Sequence, residues 1–301
     1  MSDTAATLRR QIDSAVDLQS VVRTMKAMAA SSIGQYEQSV RALGDYYRTV
    51  ELGLSVCFRG TDPASMLAGE ARAAETGAIG AVVFGSDQGL VGQFNDVAAD
   101  YALETLATLP GERRVWAVGE RVHARLTEAG LRPLECFAVP NAVRAITLLV
   151  GQILMATERL RSQGDIAELY LFYNSPTAGS VYTPVSQRLL PLDDIWRREL
   201  GERPWPTENL PEVVGAGAST LRVLIREYLF VSLFRACAES LASENASRLA
   251  GMQRAENNIE DLLDDLNGNF HRLRQSGIDA ELFDLISGFE ALTESGSQTH
   301  S

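Results

Sequence analysis

Lysine is almost absent from this sequence: of its 27 basic residues, only Lys26 is a lysine. Acidic residues number 39, which gives a formal net charge of −12. A strongly acidic chain lacks the clustered cations with which proteins bind nucleic-acid phosphates. We therefore expect no nucleic-acid partner.

Cysteine and histidine are also scarce, at three residues each. The cysteines lie far apart, at positions 57, 136 and 237, so neither a disulfide framework nor a zinc site is expected. The histidines are scattered, and no HExxH or GxSxG motif occurs. The sequence therefore predicts no catalytic residue, no metal and no cofactor in this chain.

Long hydrophobic runs are missing too. The longest, Ala145–Ala156, is interrupted by Gly151 and Gln152 and is far shorter than the about 20 residues that cross a bilayer. The opening residues contain no apolar core, so no secretory leader is expected. We expect no direct membrane insertion, and any link to a membrane must go through a partner.

Proline is confined to the middle of the chain, between Pro63 and Pro211; the first 62 and the last 90 residues contain none. Because proline breaks helix interiors, this distribution predicts long terminal helices around a central domain. The predicted boundaries are an N-terminal helix over 1–58, a central domain over 76–198 and a C-terminal helix over 218–292. The segments Gly60–Gly77 and Glu199–Gly217 are predicted linkers.

Both flanks carry a seven-residue apolar repeat, which is typical of a coiled-coil seam. The N-terminal series contains Leu8, Ala15, Val22, Ala29, Tyr36, Leu43 and Val50, accompanied by Ile12, Ile33, Val40, Tyr47 and Leu54. The C-terminal series contains Leu224, Val231, Ala238, Asn245, Met252, Ile259, Leu266, Leu273 and Ala280. Polar Gln19 and Lys26 interrupt the first flank, and Arg235 and Glu256 interrupt the second.

These repeats predict an antiparallel pair of supercoiled terminal helices, with the longer one projecting beyond the central domain. The alternative is that each flank is an amphipathic helix lying on a globular core. The C-terminal helix also changes sign along its length, because acidic residues including Glu256, Glu260 and Asp261 follow an arginine-rich stretch. This acidic run is either a solvated face or an oriented contact with a partner.

The middle of the chain alternates between strand and helix patterns. Strands are predicted at Ala78–Gly85, Arg113–Gly119, Pro133–Ala138 and Glu168–Asn174, with an edge strand at Tyr182–Leu190. Helices are predicted at Asn95–Leu109, Glu120–Ala129 and Val143–Gln163. The alternation is typical of a three-layer α/β domain with a mostly parallel, Rossmann-like sheet.

A glycine-rich turn, Gly85–Gly92 (GSDQGLVG), directly follows the first predicted strand. Glycines at such a turn can bring backbone N–H groups to a phosphate. The spacing is neither G-x-G-x-x-G nor that of a P-loop. We favour a structural tight turn, and a nucleotide-binding α/β enzyme remains the alternative.

Four segments, in order along nearly the whole chain, resemble the gamma subunit of F-type ATP synthases. Residues 8–31 (LRRQIDSAVDLQSVVRTMKAMAAS) are similar to the opening helix of that family, and Ser86–Gly92 resembles its T-D-R-G-L-C-G turn. The stretch from Ser243 to Asn258 is similar to its S-E-x-x-x-R-x-x-A-M…N signature, and residues 274–288 resemble its A-R-Q-x-x-I-T-x-E-L…I-x-x-G terminus. Gln88, Val91, Ser32 and Asp279 depart from these patterns, which indicates a divergent branch of the kind found in alternate F-type complexes.

The resemblance implies a central-stalk rotor that couples ion flow to ATP synthesis or hydrolysis and has no active site of its own. Implied partners are the alpha and beta subunits of the catalytic ring, the epsilon subunit and the membrane c-ring. The implied location is peripheral, on the cytoplasmic face of the bacterial inner membrane. Nucleotide chemistry would occur in beta, so this chain would be a non-catalytic subunit of an enzyme complex.

The matched motifs also imply which residues contact partners: Met25, Lys26, Arg274, Gln275, Ile278 and Leu282. Lys26 would face an acidic loop of beta, or else be a solvated, snorkelling lysine. With Ile278 and Leu282, the side chains of Leu285, Ile286 and Phe289 would turn inside an apolar collar. Besides the nucleotide-binding enzyme, a coiled-coil scaffold or homodimer is the remaining alternative function.

Overall fold

The computed structural model describes residues 5–60, 77–177, 180–192, 194–209, 211 and 217–297. The predicted linker Gly60–Gly77 lies almost wholly outside these residues. Within these residues the helices are α1 Ala5–Gly60, α2 Phe94–Thr108, α3 Glu120–Glu128, α4 Val143–Ser162, α5 Asp194–Glu202 and α6 Gly217–Ser297. The strands of the same ranges are β1 Ala78–Phe84, β2 Arg113–Val118, β3 Glu135–Phe137, β4 Ile166–Thr177 and β5 Ser180–Leu190.

The five strands form one sheet in the order β3-β2-β1-β4-β5. Strands β1 to β4 are parallel, and β5 pairs with β4 in the antiparallel direction at the edge. All seven residues of β1 are buried, as expected for a central strand covered on both faces. The prediction of a mostly parallel sheet with an edge strand near Tyr182–Leu190 is confirmed.

Helices cover both faces of the sheet and complete three layers. On one face, Ile79, Ala81 and Val83 of β1 pack with α2 and α3. On the other face, Val82 and Phe84 pack with α4, the end of α1 and the start of α6. Successive side chains of a strand point to opposite faces, so a continuous apolar run supplies both cores.

The seven-residue series on the two long helices is buried as predicted. Six of the seven positions of the α1 series are buried and Leu43 is half-buried. On α6 the series is buried or half-buried from Leu224 to Leu273, whereas Ala280 is exposed. The seam on α6 therefore ends about two turns earlier than the sequence pattern predicts.

The chain forms two compact units. One contains the first 27 residues and those from Met252 onward, and the other is Met28–Gly251. Within the first unit, Gln19 bonds to Glu260 and Lys26 to Gln253, so the two helices run antiparallel. Within the second unit, the Tyr46 hydroxyl of α1 donates to the Glu227 carboxylate of α6. This contact also pairs a later residue of α1 with an earlier residue of α6. The predicted fold class, an antiparallel helix pair flanking an α/β sheet domain, is confirmed.

Helix α5 is the element that the sequence pattern missed. It extends to Glu202, so the predicted linker from Glu199 is wrong over its first four residues. Leu200 is buried, and the Trp196 ring lies 5.0 Å from the Tyr228 ring between centroids. Packing against a distant part of the chain therefore stabilises a nine-residue helix that is too short to be stable on its own.

Gly119, at the start of α3, occupies a backbone site that excludes side chains. Its φ is +109°, and an added Cβ would lie 2.8 Å from the backbone of Ser86. We expect Gly119→Ala to destabilise the domain by about 3 kcal/mol or more, from combined strain and overlap. Denaturant unfolding followed by tryptophan fluorescence measures the loss.

Gly130→Ala is the matched control for this substitution. Gly130 also has a positive φ, +90°, but no atom lies within 4 Å of an added Cβ. The Gly130→Ala variant should lose only the stability that the strained backbone costs, about 1 to 2 kcal/mol. Equal losses for the two variants would show that the close approach to Ser86 contributes nothing.

Candidate functional site

The glycine-rich turn Gly85–Gly92 joins β1 to α2 and meets the amino end of α3. The Asp87 carboxylate accepts the backbone N–H of Glu120 at 3.0 Å and that of Val139 at 2.9 Å. A helix amino terminus attracts anions because its N–H groups are unpaired and its dipole end is positive. Here the chain's own carboxylate occupies that position, so the turn is closed by an internal anion.

The polar groups of the turn are largely paired among themselves. Asn95 accepts the Ser86 N–H at 2.9 Å and donates to the Ser86 hydroxyl at 2.9 Å. That hydroxyl in turn donates to the Gln88 carbonyl at 2.8 Å. Gly85 lies so close to α3 that an added Cβ would be 2.4 Å from the Cβ of Val122. This geometry agrees with the structural tight turn.

The turn also packs on α6, at a second of the matched motifs. The Ser247 hydroxyl donates to the Val91 carbonyl at 2.6 Å. Gly251 allows the Leu90 carbonyl to approach, since it lies 3.2 Å from where a Cβ would be. Leu90 itself has a positive φ of 62°, which is a strained backbone for leucine. Two motifs that are about 150 residues apart in sequence therefore form one junction.

A buried ion pair lies in the same stretch of α6. Glu244 and Arg248, the acidic and basic members of the Ser243–Arg248 motif, pair at 2.6 Å one turn apart. Burial raises the pKa of Glu244, and Arg248 opposes that shift. The second carboxylate oxygen of Glu244 has no hydrogen-bond partner among the described residues. Tyr36 of α1 lies nearby, and its pKa is raised by burial and by the charge of Glu244.

The other unit contains a charged cluster at the predicted contact residues Met25 and Lys26. The Lys26 ammonium lies 2.5 Å from one oxygen of Glu256 and 3.0 Å from the Gln253 side chain. Arg23 reaches the other oxygen of Glu256 at 2.8 Å and Glu260 at 3.3 Å. Lys26, and then Arg23, hold the pKa of Glu256 below its ordinary value.

This cluster lies beside an apolar contact of the seam. Val22, Met252 and Ile259 are buried together, with Met25 packed against them. Glu256 is itself buried, so it belongs to the seam and the predicted acidic face does not include it. The polar interruptions Lys26 and Glu256, noted separately in the sequence, are partners. Their opposite charges were the signal that could have paired them from sequence.

The remaining predicted contacts lie elsewhere along α6. Arg274, Gln275, Ile278 and Leu282 are all exposed. Arg274 follows Glu256 by 18 residues, about 27 Å along a helix. The structure therefore separates the six predicted contacts into a charged cluster around Glu256 and an exposed segment beyond Leu273. The side chain of Phe289 lies outside the described residues.

That exposed segment is strongly apolar. Side-chain exposures are 53% for Ile278, 55% for Leu282, 69% for Phe283, 72% for Leu285 and 47% for Ile286. The register that pairs Gln19 with Glu260 brings the start of α1 level with Leu273, which is why the seam ends there. The described part of the chain leaves an apolar helix surface without a covering element.

No group of three or more His, Cys, Asp or Glu side chains suited to a metal ion occurs in the described ranges. Cys57 and Cys237 are buried, and burial raises the pKa of both thiols.

Comparison with known proteins gives the class of the chain. The sequence profile of the family described as ATP synthase matches residues 4–292. The fold is shared with chains of solved ATP synthases. A chain of the Euglena gracilis mitochondrial ATP synthase rotor has a TM-score of 0.59 at 13% identity, and the match covers 91% of this chain and 98% of that one. A chain in a second structure of the Euglena gracilis enzyme, containing OSCP, F1 and c-ring, has a TM-score of 0.63 at 15% identity, and the match covers 96% of this chain and 94% of that one.

Curated relatives of this chain identify which ATP synthase subunit it resembles. The ATP synthase gamma chain of Salinibacter ruber is 30% identical over 96% of this chain and 98% of its own length. The ATP synthase gamma chain of Moorella thermoacetica is 26% identical over 95% of this chain and 98% of its own length. The chain belongs to the family of ATP synthase gamma chains.

The Glu256 cluster predicts a pH-dependent contribution to stability. Because the folded pKa of Glu256 is depressed, its stabilisation is present above the ordinary value of 4.5 and is lost as pH falls through the lowered pKa. Glu256→Gln should lower the melting temperature at pH 7, and the difference from the original chain should shrink in acid. Circular dichroism melts across pH measure this.

Glu260→Gln is the control, because that carboxylate is half exposed and lies 3.3 Å from Arg23. It should change the melting temperature little. If both variants melt alike at pH 7, the Glu256 pairs do not stabilise the seam.

The Asp87 geometry predicts that the isolated chain does not bind nucleotide. The carboxylate holds the N–H groups that a phosphate would need and would also repel it. Isothermal titration with ATP and with NAD should show no binding at micromolar concentrations. Binding in that range would restore the nucleotide-binding enzyme as the better interpretation.

Proposed function

We propose that this chain is the central-stalk rotor subunit of an F-type ATP synthase. It couples ion flow through the membrane ring to ATP synthesis or hydrolysis in the alpha/beta ring and has no active site of its own. Its partners are the alpha and beta subunits, the epsilon subunit and the c-ring. Membership of the gamma chain family supports this function.

The observation that carries the proposal is the apolar end of α6 beyond Leu273. Five large apolar side chains are about half or more exposed there, on a helix that is otherwise packed along its seam. Exposed apolar clusters of this kind mark interaction surfaces. Hydrophobic contact is non-directional, so a helix end with this surface can turn inside an apolar collar without being locked at one angle.

The antiparallel helix pair suits the transmission of torque. The seams of α1 and α6 are buried against each other within each unit, so no second chain is needed to cover them. This disfavours a coiled-coil homodimer. A pair of unlike helices is also asymmetric, so it contacts three equivalent ring sites differently and can bias them towards different states.

The individual contacts remain part of the proposal. Arg274 and Gln275 project from α6 beside the apolar end, where they could bond to polar groups at the rim of the collar. Lys26 is held by Glu256, so its interaction with an acidic loop of beta would compete with, or extend, an existing pair. Met25 is half-buried at the same level.

The location follows from the complex. ATP synthase gamma chains are peripheral parts of a membrane complex. We infer that this chain lies on the cytoplasmic face of a bacterial inner membrane, attached through that complex. None of the helices in the described residues is both long enough and apolar enough to cross a bilayer.

Removal of residues from Ile278 onward tests the proposal. In a reconstituted complex, ATP-driven ion transport per ATP hydrolysed should fall about fivefold or more, because the differential contacts with the ring are lost. The melting temperature of the α/β domain should be unchanged. Unchanged ion-coupled synthesis would refute the assignment.

Point variants separate the apolar surface from helix length. Leu282→Ser and Leu285→Ser, combined, should reproduce much of the coupling loss. Glu281→Gln alters an exposed neighbour of the same helix and should leave coupling intact.

A further inference from the structure

A groove of about 470 Å³ lies between the last turns of α4 and the first turns of α6. Four arginines line it, Arg159 and Arg161 from α4 and Arg222 and Arg226 from α6, together with one carboxylate, that of Glu158. In a chain of net charge −12, this is a concentrated positive patch.

Most of this charge is not neutralised within the described chain. Arg161 pairs with Glu158 at 3.0 and 3.1 Å. Arg159, Arg222 and Arg226 are exposed, and none of the three forms an ion pair with a described carboxylate. The groove therefore presents three guanidinium groups that are available to an anion.

Helix stability does not explain the two arginines of α6. Arg159 and Arg161 lie in the last turn of α4, where cations favour the helix dipole. Arg222 and Arg226 lie in the second and third turns of α6, which begins at Gly217, so the helix dipole does not favour them. They are like charges four residues apart, which repel. A bound anion would relieve this repulsion.

Apolar side chains complete the groove. Leu154, Ile225 and Leu229 form its lining beneath the arginines. At its rim, Met155 is 69% exposed, and Leu148, two turns earlier on the same side of α4, is 73% exposed. Arginines beside exposed apolar side chains are typical of surfaces that bind at a lipid headgroup boundary.

The dimensions favour a small anionic group. The lining of α4 runs from Leu154 to Ser162, about 12 Å of helix, which is short for a protein interface. Guanidinium groups bind phosphate through paired N–H donors. We propose that this groove binds the phosphate of an anionic phospholipid, with Met155 and Leu148 against the lipid's apolar part. This site goes beyond the proposed rotor function, and it replaces the expectation that any link to a membrane must go through a partner.

Vesicle sedimentation of the full chain tests the proposal. The chain should bind vesicles of phosphatidylcholine containing one third phosphatidylglycerol and bind poorly to phosphatidylcholine alone. The variant Arg222→Gln/Arg226→Gln should reduce binding to the anionic vesicles about thirtyfold, because each arginine near a charged membrane contributes about fivefold. Equal binding of the original chain to both vesicles would overturn the proposal.

The control variant is Arg9→Gln/Arg10→Gln, which removes the same charge from exposed positions outside the groove. It should bind as the original chain does. An equal loss in this control would show that total charge, and not the groove, governs binding.

Two further measurements keep the test independent of misfolding and of other ligands. Arg159→Gln and Met155→Gln change the α4 side of the groove at exposed positions, and each should weaken binding severalfold. An excess of soluble glycerol phosphate should not displace the chain from vesicles. Displacement would identify a free phosphate ligand and overturn the lipid assignment. Since these assays use the chain alone, their failure leaves the rotor function untouched.

Discussion

The burial of one apolar seam between α1 and α6 is the constraint on which the rest of the structure depends. The seam positions recur every seven residues on both helices and are buried in each unit. The same helices then cover one face of the sheet, where Leu54 of α1 and Leu229 of α6 join the core of β1 and α4. One pairing therefore organises the long helices and closes the α/β domain that lies between them in sequence.

Apolar contacts alone would allow the two helices to slide, because every seventh position is equivalent. The polar positions remove this freedom. Lys26 and Arg23 meet Glu256, and Gln19 meets Glu260, so a shift by one repeat would leave a buried carboxylate unpaired. A fixed register also fixes where the seam ends, and hence which residues of α6 are exposed. The ion pairs therefore determine where the apolar end begins.

The glycine-rich turn shows how a motif that suggests ligand binding can be structural. Gly85 and Gly119 permit close approach of backbone to helix α3, and Asp87 supplies the anion that the helix terminus attracts. The turn also contacts α6, because the Ser247 hydroxyl donates to the Val91 carbonyl. Two segments that resemble motifs of the family form one junction between the sheet and the long helix, and this contact explains their residue types.

The sequence by itself determined the helix pair and the parallel sheet, because each rests on a local period or on proline placement. It did not determine where the seam ends: the seven-residue series continues to Ala280, whereas burial stops at Leu273, which lies level with the start of α1. It did not determine the partner of Asp87, since the N–H groups of Glu120 and Val139 reach it only through the sheet. It missed α5, which is stabilised by packing of Trp196 and Leu200. It also missed the arginine groove, whose residues are about 60 positions apart and meet only when α4 and α6 pack. Tertiary structure decides such features because charge and burial depend on distance in space, which a linear pattern does not contain.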